Sequence, residues 1–195
     1  MRSWLLLPLL LVAACGVRPN SSSGDDDDAA DDDDATEPYD ASLLPQGNNP
    51  SRPPMRVWIS FVIDGDTAEV ITEDGFAERV RFLSVDTPEI NANEPWPADC
   101  WAYEARTFTR ELLPEDQPLW LTFDGEERDD FDRLLAYLFI GSRPEADFEQ
   151  SVNYQLIRGG WASTFFFPNN QTFREELEYA EFLAQEDGVG VWDCD

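Results

Sequence analysis

Histidine and lysine are both absent from this chain of 195 residues. Without histidine there is no imidazole to activate a thiol, which argues against a cysteine nucleophile, and any attacking water must be deprotonated by a carboxylate or a metal. Without lysine, all 13 basic side chains are arginines, set against 41 acids. The resulting net charge of −28 argues against casual, non-specific attraction to nucleic acid. Long apolar runs are scarce too: the one at residues 2–14 is shorter than the roughly 20 residues a membrane-spanning helix needs. No internal repeat is visible, which leaves solenoid architectures aside.

What is present begins with that same run. "RSWLLLPLLLVAA" carries an early arginine, an apolar stretch and a small-residue end, the layout of a secretory signal peptide over residues 1–14. It closes on "VAAC", which resembles the lipobox of bacterial lipoproteins, and this implies that Cys15 is lipidated and becomes the mature N-terminus. Gly16, directly after it, favours an outer-membrane destination within the cell envelope. Residues 15–55 are rich in Ser, Gly, Asp and Pro and read as a disordered, self-repelling tether of about 40 residues reaching about 35 Å. Its aspartate runs, 25–28 and 31–34, lack the turn residues that alternate with ligands in a metal loop, and read as solvated chain. With Cys15 lipidated, two cysteines remain, and an oxidising compartment favours a Cys100–Cys194 disulfide.

Residues 56–195 are ample for one core. They hold ten arginines and 31 acids, a net of −21. Alternating or β-branched stretches at 57–63, 67–72 and 78–85, broken by "DGD" and "EDGF" turns, predict an antiparallel meander of three strands. Residues 98–113 switch to helical period, with Trp101, Ala105, Phe108 and Leu112 on one stripe and Pro114 as a stop. Strands follow at 119–123 and 133–140, then helices at 152–160 and 172–188, the last with Phe173, Leu177, Ala180 and Leu183 or Ala184 facing inward. Five strands with a helix between the third and fourth fit an α+β fold built on a five-stranded OB-type barrel with three helices, preceded by the disordered acidic linker.

Three stretches carry chemistry: "IDGDT", "VRFLSVDTPEI" and "ERDDFDRLLAY". Each alone is ordinary turn chemistry or a solvated charge. Together they are more informative. Asp66 closes the first hairpin and Asp86 ends the third strand, so both carboxylates can meet at one corner. Two hard oxygen ligands, a backbone carbonyl and water describe an open calcium site. Arg81 and Arg133 supply two guanidinium forks, suited to phosphate oxygens and to the extra charge of a pentacovalent transition state. Glu89 is the free carboxylate for water activation.

In these residues the sequence resembles the thermonucleases, the staphylococcal nuclease-like family. "VIDGDTAEV", "VRFLSVDTPE", "FDGEERDDFDRLLAYLF", "VNYQLIRGGWA" and "FPNN" occur in the family's order from about Val57 to Trp192. The resemblance implies an OB barrel and a calcium-dependent enzyme that cuts DNA and RNA to 3′-phosphate products. It implies Asp66, Asp86 and the carbonyl of Thr87 as metal ligands, Arg81 and Arg133 on the scissile phosphate, and Glu89 orienting or deprotonating the water. Asp64 then shapes the turn. The partners implied are a nucleic acid substrate and, through the lipid, a membrane, with the chain a monomer. Where the family's type protein grips the nucleotide with lysine and tyrosines, this chain is expected to place Asp130, Phe131, Thr164 and Phe166. Two other classes fit part of the pattern. A non-catalytic OB-fold binding module is the first, though the retained Asp66, Arg81, Asp86, Glu89 and Arg133 argue against it. The second, an acidic calcium-buffering surface lipoprotein, leaves both arginines idle.

Overall fold

The first hairpin follows from its sequence. Strands β1 (Met55–Asp64) and β2 (Thr67–Thr72) pair antiparallel across the Gly65-Asp66 turn, with Asp64 opposite Thr67. Val57, Ile59, Val62, Ala68 and Val70 point inward and are buried. Strict alternation along β1 would also send Phe61 inward. Instead the register shifts between Ile59 and Phe61, and again between Val62 and Asp64, so Val62 takes the core position and Phe61 faces out. Bulges of this kind re-aim side chains near sites.

The structure, a computed structural model, describes residues 38–90 and 98–194. The expected signal peptide, Cys15 and the tether up to residue 37 lie outside the described residues. The expected disordered linker runs to residue 55, but packed structure begins at Pro38. Residues 38–55 form a strap over the barrel: Leu44 is buried, the Tyr39 hydroxyl donates to the Pro144 carbonyl at 2.8 Å, and Gly47 N–H donates to the Phe123 carbonyl at 2.8 Å. Composition concealed this because a few apolar anchors and backbone bonds do the holding. Gly47 is obligatory, since a Cβ there would sit 2.2 Å from Asp124 Oδ1.

Strands β3 (Ala77–Phe82), β5 (Pro118–Thr122) and β6 (Leu134–Ile140) complete a closed barrel in the order β1-β2-β3-β6-β5. The third strand was expected to continue to residue 85. It breaks at Ser84, whose φ of 62° turns the chain off the barrel, and β4 (Ser84–Asp86) pairs instead with β7 (Ser163–Phe165) in a separate two-stranded sheet. The β3–β6 pairing is parallel, with Arg81 opposite Leu135, two residues from Arg133. That single register choice brings two distant arginines to the same end of the barrel.

Helix α1 (Ala102–Leu112) buries Ala102, Ala105 and Thr109, and Phe108 and Leu112 pack at its margin. It begins four residues after the expected start, because Trp101 at its N-terminus is left-handed. Helix α2 (Val152–Arg158) is capped by the Ser151 side chain, which accepts from Tyr154 N–H. Its buried Asn153 accepts from Leu138 N–H at 3.0 Å and donates to the Leu83 carbonyl at 2.8 Å, pinning β6 to the end of β3. Helix α3 (Arg174–Asp187) buries Leu177, Ala180 and Ala184. Cys100 and Cys194 are joined by a disulfide. Among the described residues, no helix is long and apolar enough to cross a membrane.

Candidate active site

The "DGD" turn is held from three sides. Gly65 admits the side chain of Thr87, whose Cγ2 would lie 2.7 Å from a Cβ at that position. The buried Thr109 hydroxyl of α1 donates to the Gly65 carbonyl at 2.8 Å. The Asp66 backbone carbonyl accepts from Phe82 N–H at 2.9 Å. The Asp66 carboxylate is therefore fixed. It accepts from the Thr67 hydroxyl at 2.9 Å and from Thr87 N–H at 3.3 Å.

Arg81 is the centre of the cluster and is almost fully buried. Its Nη2 lies 3.1 Å from Asp66 Oδ2 and 3.3 Å from Asp86 Oδ1. Its Nη1 donates to the carbonyls of Phe82 and Val85, the two ends of the turn that leaves the barrel. A buried charge needs such full pairing. The guanidinium thus fixes the loop that carries Asp86 as well as joining both carboxylates.

Asp86 and Glu89 are more open. Burial pushes both carboxyls above their ordinary values; for Asp86 the charge of Asp66 adds to this and Arg81 opposes it, and for Glu89 Asp64, Asp66 and Asp86 all add. Burial also raises Asp64. Burial is the larger cause in each case, the neighbouring carboxylates add to it, and Arg81 opposes it at both Asp86 and Glu89. Among the described residues no group of three or more acidic or thiol side chains is arranged to hold a metal unaided. Asp66 and Asp86 converge as a pair, and the Thr87 carbonyl follows directly in the chain. The hard-oxygen donor set fits calcium, with water completing it. The Glu89 loop is pinned to the segment ahead of α1: Glu89 N–H donates to Asp99 Oδ2 and Asp99 N–H to the Glu89 carbonyl, both at 3.1 Å.

Arg133 arrives from the start of β6. Its Nε and Nη2 both lie 2.7 Å from Asp129 Oδ2, and its guanidinium lies 5.3 Å from the centre of the Phe131 ring. Asp129 is a residue that sequence reasoning missed. Its other oxygen accepts from the N–H groups of Phe131 and Arg133, a turn motif that "DDFDR" could have signalled. Burial alone would raise its carboxyl, but the bonds from Arg133 outweigh that and hold it below the ordinary aspartate value.

Two cavities meet at Arg81 and Arg133. The first, about 610 Å³, is walled by Phe131, Phe165 and Phe167 and rimmed by Glu126, Asp129 and Asp130. The second, about 490 Å³, contains Asp64, Asp66 and Glu89. The expectation of Thr164 and Phe166 at the pocket is corrected here. Thr164 turns to α3, its N–H and hydroxyl donating to Glu181 at 2.7 and 2.9 Å, and Phe166 stacks under Arg174 at 4.0 Å. Phe165, at the end of β7, and Phe167, two residues beyond it, line the pocket instead. Phe131 and Asp130 do face it, with Phe131 80% exposed.

A sequence profile of the family described as "Staphylococcal nuclease homologue" matches residues 79–194. The chain is similar to a protein named thermonuclease from Staphylococcus intermedius, 35% identical over 135 residues, covering 69% of this chain and 74% of that protein. It is also similar to a thermonuclease from Staphylococcus hyicus, at 32% identity over 67% of this chain and 72% of the relative. The endonuclease YncB of Bacillus subtilis (strain 168) is 31% identical over 71% of this chain and 62% of its own length.

Proposed function

This chain belongs to the staphylococcal nuclease family and is a nuclease, and on that premise we propose that it is a calcium-dependent phosphodiesterase cutting DNA, RNA or both to 3′-phosphate products while tethered to the cell envelope. The observation that carries the reading is Arg81, bonded at once to Asp66 and Asp86 at the junction of two cavities that Arg133 also lines. It gathers hard oxygen donors and phosphate-binding guanidiniums at one mouth.

In this reading Asp66, Asp86 and the Thr87 carbonyl hold Ca²⁺. A bound calcium would supply Lewis-acid polarisation of a phosphoryl oxygen. The protein's own part is charge and position. Arg81 and Arg133 bind the non-bridging oxygens of the scissile phosphate, and their donors stabilise the charge that accumulates on them in the transition state. Glu89, on the wall of the second cavity, takes the proton of the attacking water as its oxygen bonds to phosphorus. The bond from phosphorus to the 5′-oxygen breaks, leaving the phosphate on the 3′ side, and the departing 5′-oxygen takes a proton from solvent water to leave as the alcohol; Glu89 then releases its own proton to solvent. Its raised carboxyl value suits a base that must accept a proton and return it. The acyl anchor on Cys15 and a monomeric state belong to the same proposal, and rest on "VAAC" and on a single site complete within one chain.

Plasmid DNA and RNA incubated with calcium, with and without EGTA, test it on a gel. Degradation with calcium and intact substrate with EGTA are expected, and Asp66→Asn or Asp86→Ala should abolish cutting while the fold is kept. Intact substrates in excess calcium would overturn the reading. Cys15→Ala should move the protein from the membrane to the soluble fraction, and retention on the membrane would remove the lipid anchor.

A further inference from the structure

We propose that the outer face of β1–β3 is a second nucleotide subsite, in which Arg79 binds the phosphate next to the scissile one and Phe61 lies against the nucleotide between them. The proposal rests on the nuclease reading and extends it from one phosphate to a length of strand.

The second cavity shares Arg81 and Arg133 with the first, but its far wall is Phe61, Ile63 and Arg79. Pairing explains the arrangement. Asp64, Thr67 and Arg81 stand opposite one another across β1, β2 and β3, and Phe61, Glu69 and Arg79 form the neighbouring row. Arg79 is two residues from Arg81 on the same face, roughly 6.6 Å along the strand, a step that the repeat of an extended sugar–phosphate backbone can match. The bulges of β1 turn Phe61 out into this row, where it is 44% exposed. Glu69, between the two, is engaged by the Ser60 hydroxyl at 3.1 Å.

The Arg79 guanidinium has no ion pair or hydrogen bond among the described residues, while those of Arg81, Arg128 and Arg133 around it are all paired with carboxylates. Arg56, Arg106 and Arg110 also lack an acidic partner among the described residues, but each is engaged by a hydroxyl, a carbonyl or an aromatic ring, whereas the Arg79 guanidinium is not. It is a fork free to take a phosphate bidentately. A phenyl face beside it takes any base by stacking. A base paired within a duplex does not offer its face, so the occupant is an extended single strand with at least one phosphate beyond the one being cut.

The test compares a single-stranded oligodeoxynucleotide with bis(p-nitrophenyl) phosphate, a diester that has no neighbouring phosphate or base. Arg79→Ala and Phe61→Ala should each raise KM for the oligonucleotide about tenfold, leaving its kcat and the turnover of the small diester unchanged. Adding Arg79→Ala to the inactive Glu89→Gln protein should weaken binding of a fluorescein-labelled oligonucleotide by the same factor in anisotropy. Arg158→Ala, which removes the same charge from a pair with Asp187, should change neither quantity. Unchanged KM and anisotropy in the Arg79 and Phe61 variants, or an equal loss in Arg158→Ala, would overturn the subsite. If the unmutated protein cuts neither substrate, the nuclease reading fails, and the anisotropy comparison still decides whether Arg79 and Phe61 touch the strand.

Discussion

Arg133 reaches the cavity with its guanidinium already clamped by Asp129, so less side-chain freedom remains to be lost when a phosphate arrives. Arg133→Ala should lower kcat by about two orders of magnitude, as loss of one transition-state donor does. Full activity of that variant in excess calcium would remove the phosphate clamp. Asp129→Asn keeps an acceptor for the turn but loses the ion pair, and a smaller fall in kcat of about tenfold is expected from poorer positioning. The same pair has a pH signature. Because the Asp129 carboxyl is held below its ordinary value in the folded state, its contribution to stability is full above the ordinary aspartate value and is lost as pH falls through the lowered one. Tm measured down the acid range should therefore fall less steeply in Asp129→Asn; an unchanged slope would mean the pair contributes nothing. At this scale, the meeting of Asp66, Arg81 and Asp86, with Glu89 and Arg133 on the cavity walls beside them, was legible because these residues sit in short motifs. Asp129 and Thr109 were not, since each acts through a contact that depends on how another segment packs. Phe165 and Phe167 were hidden for a different reason: a three-residue strand is too short for alternation to declare its phase.

Elements were legible where period was sustained. The barrel strands and the last helix lie close to where alternation and helical period placed them. The break at Ser84 and the bulges of β1 were not legible, because both interrupt the very regularity that identifies a strand, and both matter: one aims Asp86 at Arg81, the other turns Phe61 outward. The disulfide acts at the same scale. Cys100 and Cys194 lie with Asp86, Thr87, Pro88 and Glu89 around a single surface depression, and Asp99, next to Cys100, holds the Glu89 backbone. The bridge spans 94 residues of sequence. In the chain-entropy account, closing a loop of that length contributes about 4–5 kcal/mol. The double variant Cys100→Ser/Cys194→Ser should therefore lower Tm, and it should also lower kcat by loosening the loop that carries Glu89. A Tm loss with kcat intact below the transition would confine the bridge to stability. Two free thiols in the intact mass of the non-reduced protein would remove it altogether.

At the scale of the whole molecule, the question is how a polyanion is cut by a protein of net charge −28. A basic nuclease gains affinity by neutralising substrate phosphates, so its binding weakens steadily as salt rises. Here attraction is confined to the arginines at the cavity junction and to any bound calcium, while Glu126, Asp129 and Asp130 rim the approach on one side. The two forces differ in range, and screening separates them. The Debye length is about 10 Å at 0.1 M salt and about 3 Å at 1 M, so added salt removes diffuse repulsion before it weakens contacts at bonding distance. We therefore expect kcat/KM on single-stranded DNA, at fixed saturating calcium, to rise first with sodium chloride and to fall only later. Replacing Glu126 and Asp130 together with Gln and Asn should flatten the rising limb, because those two acids face the substrate's path and neither holds an arginine of the site. A steady decline from about 50 mM salt upward would instead mean that the acids act too far from the strand to be felt. In that case the local field of Arg79, Arg81 and Arg133 would govern association by itself.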